Sequence, residues 1–143
     1  MVWLWAEILM RWTHIASAAV LVGGLAYARL VAAPLIGATP EERAEAAARL
    51  NDRFRWLVYA AIAGLLVSGV YNILVHRGHT AYYHAWFGVK VLLALHVFAA
   101  AMLTVRSTQA ASANEARRLR RLSGAILSGL AVIGIAAYLR LIY

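Results

Sequence analysis

The 143-residue chain contains no cysteine. That excludes a disulfide framework, a thiolate metal site and a cysteine nucleophile. Charge is scarce as well: 14% of the residues are Asp, Glu, Lys or Arg, against about a quarter in soluble domains. Acidic residues number only six, and Lys90 is the sole lysine in a chain that otherwise carries its positive charge on arginine. Neither an internal repeat nor a low-complexity linker is present. A leader signature is missing too. No basic region precedes the first apolar segment, Glu7 lies before it, and the segment is too long for the core of a signal peptide, so it is expected to be a true span.

What the chain does have is apolar sequence, 64% of its residues, and it comes in blocks. Trp12 to Ala28, Trp56 to Val75, Trp86 to Val105 and Leu122 to Leu139 are each about the length that crosses a bilayer core as helix. Lys90 is the only charge inside them. The prediction is an all-α integral membrane four-helix bundle, a single transmembrane domain over residues 1–143 with spans at about 12–33, 56–75, 86–105 and 122–139. The competing reading of this composition is a very apolar soluble bundle. The net charge of +8 points to orientation and contact with anionic lipid, with no nucleic-acid partner expected.

Arginine placement predicts that orientation. Arg29, Arg43, Arg49, Arg53 and Arg55 flank or occupy the first connection, and Arg106, Arg117, Arg118, Arg120 and Arg121 the third. The other side has Arg11, Arg77, Arg140 and the shallow Lys90, so the split is ten against four. By the positive-inside bias the first and third connections face the cytoplasm, and both termini face outward, into the periplasm if this is a bacterial inner-membrane protein. Trp3, Trp5, Trp12 and Trp86 mark the outer boundary and Trp56 the inner one, as interfacial anchors. Thr39-Pro40-Glu41-Glu42 reads as a capping box with proline at the first helical position. The alanine-rich run from Glu41 to Leu50 is expected either as a short interfacial helix between spans 1 and 2 or as an inward extension of the second span. Gly23-Gly24, Gly64, Ser68, Gly69, Gly124, Ser128, Gly129 and Gly134 read as packing devices that let helices approach closely.

An ionisable group in a span is a functional hypothesis whose partner must be named. Depth supplies one for Lys90. At ~1.5 Å per residue, Lys90 lies ~24 Å from Arg106 and His14 ~22 Å from Arg29, so both sit near the outer leaflet. His96 is roughly 9 Å deeper than Lys90 and on a different face. His76, His79 and His84 join His14 at the outward end, together with Arg77, Tyr82 and Tyr83. Imidazole suits copper, zinc and haem iron, and Met10, one helical turn before His14, offers a thioether for copper(I) or haem. Each has a plainer reading. The three loop histidines serve equally as solvated loop residues, His96 as a core histidine bonded across to a neighbouring helix, and Lys90 as a side chain that snorkels to the surface.

Several of these residues carry a resemblance. The stretch from His14 through Leu21-Val22-Gly23-Gly24-Leu25 resembles the first span of CopD-like membrane proteins. Arg53-Phe54, Ser68-Gly69-Val70-Tyr71-Asn72 and Phe87-Gly88-Val89-Lys90 continue the pattern through the second and third spans. Tyr27 with Arg29-Leu30, and Trp86-Phe87 with Val89-Lys90, are similar to the related HemJ-type protoporphyrinogen oxidases, with Leu21 where tryptophan is usual. The resemblance implies a His14–Lys90 functional pair and a bound b haem.

Three functions are therefore expected as alternatives. In the first, a haem- or porphyrin-binding redox protein, His14 ligates iron or positions the tetrapyrrole. Lys90 and Arg11 pair with a propionate or serve proton transfer, and His96 is a candidate second axial ligand. The partner would be a porphyrin or another redox component. In the second, copper handling, His14, His76, His79, His84 and Met10 receive copper at the outer face. In the third, the chain is a structural subunit of a larger complex or a homo-oligomer.

Overall fold

A computed structural model describes residues 2–35, 39–75, 81–106 and 111–142. The chain runs through α1 (Val2–Tyr27), a wide π-helical turn (Ala28–Ala32), α2 (Ala33–Leu35), α3 (Pro40–Val75), α4 (Ala81–Arg106) and α5 (Ala111–Ile142). Four of these stretches are long and apolar enough to cross a bilayer: Trp3–Ala32, Glu41–Val75, Tyr82–Arg106 and Ala116–Leu141. Helix is the form such segments must take, because lipid offers no partner to backbone N–H and C=O groups. The protein is an all-α, multi-pass membrane protein.

The helices outrun the apolar blocks. Hydropathy marks where hydrocarbon sits, while capping and backbone hydrogen bonding decide where a helix ends. At the start of α3 the Glu42 amide donates to Thr39 Oγ1 at 3.2 Å and the Thr39 amide donates to Glu42 Oε2 at 3.3 Å, a reciprocal capping box. No separate interfacial helix forms after it. The run from Glu41 to Leu50 is continuous with the second span in one helix of 36 residues, because alanine and charged residues alike propagate helix and no breaker follows.

The first span ends differently. Pro34 has no N–H, and its ring collides with the carbonyl four residues back. The preceding turn widens, and the Ala33 amide donates to the Ala28 carbonyl, five residues away. Helix α2 then carries the chain to Leu35.

Helix α1 packs on α3, α3 on α4, α4 on α5, and α5 closes back on α1. Helices α3 and α5 also touch across the short diagonal, leaving α1 and α4 to face each other across the bundle. Leu21 and Leu25 of α1, Val58 and Ile62 of α3, Val97 and Ala101 of α4, and Leu122 and Ala125 of α5 fill the interior. Outside, the large side chains face away: Trp3 is 80% exposed and Trp12, Trp56, Leu92 and Leu127 are exposed too, as a lipid-facing surface requires.

Glycine makes three of the close approaches. A Cβ on Gly24 would fall on the Phe54 ring, one on Gly64 would collide with the Ser17 hydroxyl, and one on Gly129 would stand 2.8 Å from a Val22 methyl. Gly23, Gly69 and Gly134, read from sequence as further packing devices, have nothing within 4 Å of such a Cβ. At the arginine-rich end Asn51 Nδ2 donates to the Thr104 carbonyl at 3.0 Å and Arg29 Nε to Ser123 Oγ at 3.2 Å, tying α3 to α4 and the π turn to α5.

Candidate functional site

Three inward stripes converge on the opposite, histidine-rich end. On α1 the buried face of Leu21, Leu25 and Ala28 continues, one heptad earlier, to half-buried His14. On α4 the buried face of Val97, Ala101 and Thr104 continues to half-buried Lys90. On α3 the stripe of Val58 and Ile62 ends at Ser68, which is fully buried at 0% exposure. The same spacing that builds the core thus delivers three polar side chains to its end.

The inward stripes of α1 and α4 thus carry His14 and Lys90, both half-buried, toward the same end of the bundle. The Nδ1 atom of His14 is 2.8 Å from Ser68 Oγ. The Ser68 hydroxyl in turn lies 2.6 Å from the Gly64 carbonyl and 3.3 Å from that of Leu65. Gly64 brings α1 and α3 close enough for this arrangement, with Ser17 and Thr13 of α1 packed directly over it. Met10 lies half-buried one turn before His14.

The other sequence candidates lie elsewhere. Arg11 is exposed and pairs at 3.2 Å with Glu7 along α1. His96 is exposed, with its Nδ1 2.9 Å from Ser128 Oγ of α5, and no hydrogen bond among the described residues joins it to His14. His84 is exposed beside the Tyr83 ring, centroids 5.9 Å apart. His76 and His79, expected as metal ligands, lie outside the described residues. Among the described residues no three His, Asp or Glu side chains gather as a metal cluster.

Beside the pair, α4 and α5 meet through aromatic rings. Tyr82 and Tyr138 each stand edge-on to Trp86, with centroids 6.4 and 5.8 Å away, and Tyr83 stacks on Phe87 at 6.1 Å.

Sequence reasoning missed Ser68 as part of the site and read it as a packing residue. Depth was the usable signal: counted from Arg55, Ser68 lies ~20 Å up its span, nearly level with His14. The Ser128 partnership of His96 was hidden in the same way, among small residues of the fourth span.

Geometrically the arrangement can do two things. It offers a nitrogen ligand or proton acceptor, since Nδ1 is engaged and Nε2 of His14 is the remaining ring nitrogen. It also offers a cation, half-buried Lys90, on the inward stripe of α4. No protein-family model, curated protein or solved structure matches this chain.

Proposed function

We propose that this chain is a membrane redox protein that holds a b-type haem or related tetrapyrrole at its histidine-rich end. The observation that carries the reading is half-buried His14 with its Nδ1 held by buried Ser68, at the end of the core to which the inward stripe of α4 carries half-buried Lys90. Metal-ligating histidines ordinarily have their second ring nitrogen fixed in this way. The residues therefore fit the group: His14 Nε2 as ligand or anchor, and Lys90 as the cation for a propionate. Without cysteine the attachment is non-covalent, which supports the b type. The core beneath is filled by Leu21, Val58, Ile62 and Val97, so the group would seat above it, toward the ends of the helices. Bound there, a tetrapyrrole supplies the electron chemistry, and the chain supplies position and charge.

The same reading sets the topology. The arginine-rich end faces the cytoplasm, both termini face the periplasm, and the protein resides in a bacterial inner membrane. A porphyrin or redox partner is met at the outer leaflet, in a homo-oligomer or as a subunit of a complex. Copper handling is the second reading. It rests on Met10 and His14 lying one turn apart on α1, both half-buried.

The optical spectrum of the full chain in mild detergent tests this. A Soret band with sharp α-bands on reduction is expected, lost in both His14→Ala and Lys90→Ala while each variant still inserts. A colourless protein binding stoichiometric copper favours the second reading, and unchanged haem content in both variants overturns the paired site. A protein that binds neither group and purifies with further subunits is a structural component.

A further inference from the structure

Ser68 has one hydroxyl hydrogen and three neighbours that compete for it: the Gly64 carbonyl at 2.6 Å, the Leu65 carbonyl at 3.3 Å and His14 Nδ1 at 2.8 Å. A carbonyl oxygen only accepts. Two oxygens at 2.6 Å with no hydrogen between them would set lone pair against lone pair, so the hydrogen lies toward the backbone carbonyls. Serine in a helix interior commonly bonds back in this manner, and Ser68 is fully buried. The hydroxyl oxygen then faces His14 with lone pairs alone. The 2.8 Å contact is a hydrogen bond only if the imidazole donates it.

We infer that Ser68 is a positioning residue that fixes the neutral His14 ring as the Nδ1–H tautomer, leaving the Nε2 lone pair as the site's ligand or base. The control passes from the α3 backbone through one hydroxyl to the ring on α1. It sets both the direction of the ring and which nitrogen is basic. The contact alone would leave two tautomers; the carbonyls behind the serine remove one. That the selected nitrogen serves a tetrapyrrole rests on the functional reading above, whereas the tautomer itself does not.

Nitrogen NMR of the full chain in lipid nanodiscs, with labelled histidine and no added haem, reads this directly at a pH where the ring is neutral. The His14 signals are identified by their loss in His14→Gln. The wild type is expected to show a protonated Nδ1 and a bare Nε2. Ser68→Ala, which only removes atoms, moves the proton to Nε2, the form free imidazole side chains prefer. Ser68→Thr keeps the hydroxyl and the Nδ1–H form; Ser68→Val, of the same shape without the hydroxyl, loses it. A wild-type ring protonated on Nε2, or an Nδ1–H form that persists in both Ser68→Ala and Ser68→Val, overturns the inference. Haem titration of the same samples separates it from the functional reading. Weakening by about 10–100-fold in Ser68→Ala and recovery in Ser68→Thr support both. A tautomer pattern as expected with no haem uptake by the wild type sinks the haem reading and leaves Ser68 in its role.

Discussion

Among the described residues two histidine–serine pairs join neighbouring helices, and they are nearly identical as hydrogen bonds. His14 Nδ1 meets Ser68 Oγ at 2.8 Å between α1 and α3, and His96 Nδ1 meets Ser128 Oγ at 2.9 Å between α4 and α5. Their settings differ. Ser68 is fully buried and bonded back to its own helix, and half-buried Lys90 lies on the inward stripe of α4 across the interior from α1. His96 is exposed on the outside of the bundle, and Ser128 is half-buried. A histidine among apolar residues is therefore not a site by virtue of its residue type or its hydrogen bond. What distinguishes His14 is a second ionisable group across the interior and a partner whose own hydrogen is committed. His96 ties two neighbouring helices together.

The comparison sharpens most at the glycines beneath the two pairs. Gly64→Ala is relieved when the Ser17 hydroxyl rotates away. Gly64→Val is not, because its further methyl meets the Ser17 Cβ and Thr13 methyl that already lie 3.4 and 3.5 Å from a Cβ there. It should pry α1 from α3, cost about 1–3 kcal/mol of unfolding free energy in mixed micelles, and break the His14–Ser68 bond. A valine variant as stable as the wild type would mean that this contact does not set the spacing. Next, Ser128→Ala should lower the same unfolding free energy by only ~0.6 kcal/mol, the usual worth of an interhelical hydrogen bond in a membrane protein, with the His14 environment unchanged. A loss of haem or a shift of the His14 signals in Ser128→Ala would erase the distinction between the pairs. The smallest effect is expected at Gly124. A Cβ there stands 3.6 Å from His96 Cε1, an ordinary contact, so Gly124→Ala should change stability by less than ~0.5 kcal/mol.

The four spans were legible because a bilayer imposes length and apolarity on any helix that crosses it. The capping box was legible because threonine, proline and glutamate occupy positions with a single mechanical meaning. The similar depth of His14 and Lys90 could be anticipated from sequence, since helical rise converts residue number to height. Azimuth is harder. Which face of α4 turns inward depends on all four helices packing together, so the exposure of His96 and its Ser128 bond could not be read from sequence. Serine was harder still: Ser68 and Ser128 share a composition signal with the glycines around them, and only the distance to a histidine separates a hydrogen-bonding serine from a small one. The continuity of α3 through Glu41 to Leu50 was ambiguous because nothing in that run breaks a helix, and Ala47, which is buried, is too small to mark an inward face in sequence.

That continuity has a mechanical side. At ~1.5 Å per residue the 36-residue α3 is a rod of ~54 Å, well over the ~30 Å of bilayer hydrocarbon. Its capped tip at Thr39 and the serine that orients His14 belong to the same rod, which is gripped near its middle by buried Val58, Ala61 and Ile62. A rod held in the middle is a lever: swinging the overhanging arm moves the far end the other way. A force applied at the arginine-rich end would therefore reach the imidazole as a displacement of Ser68, with no messenger in between.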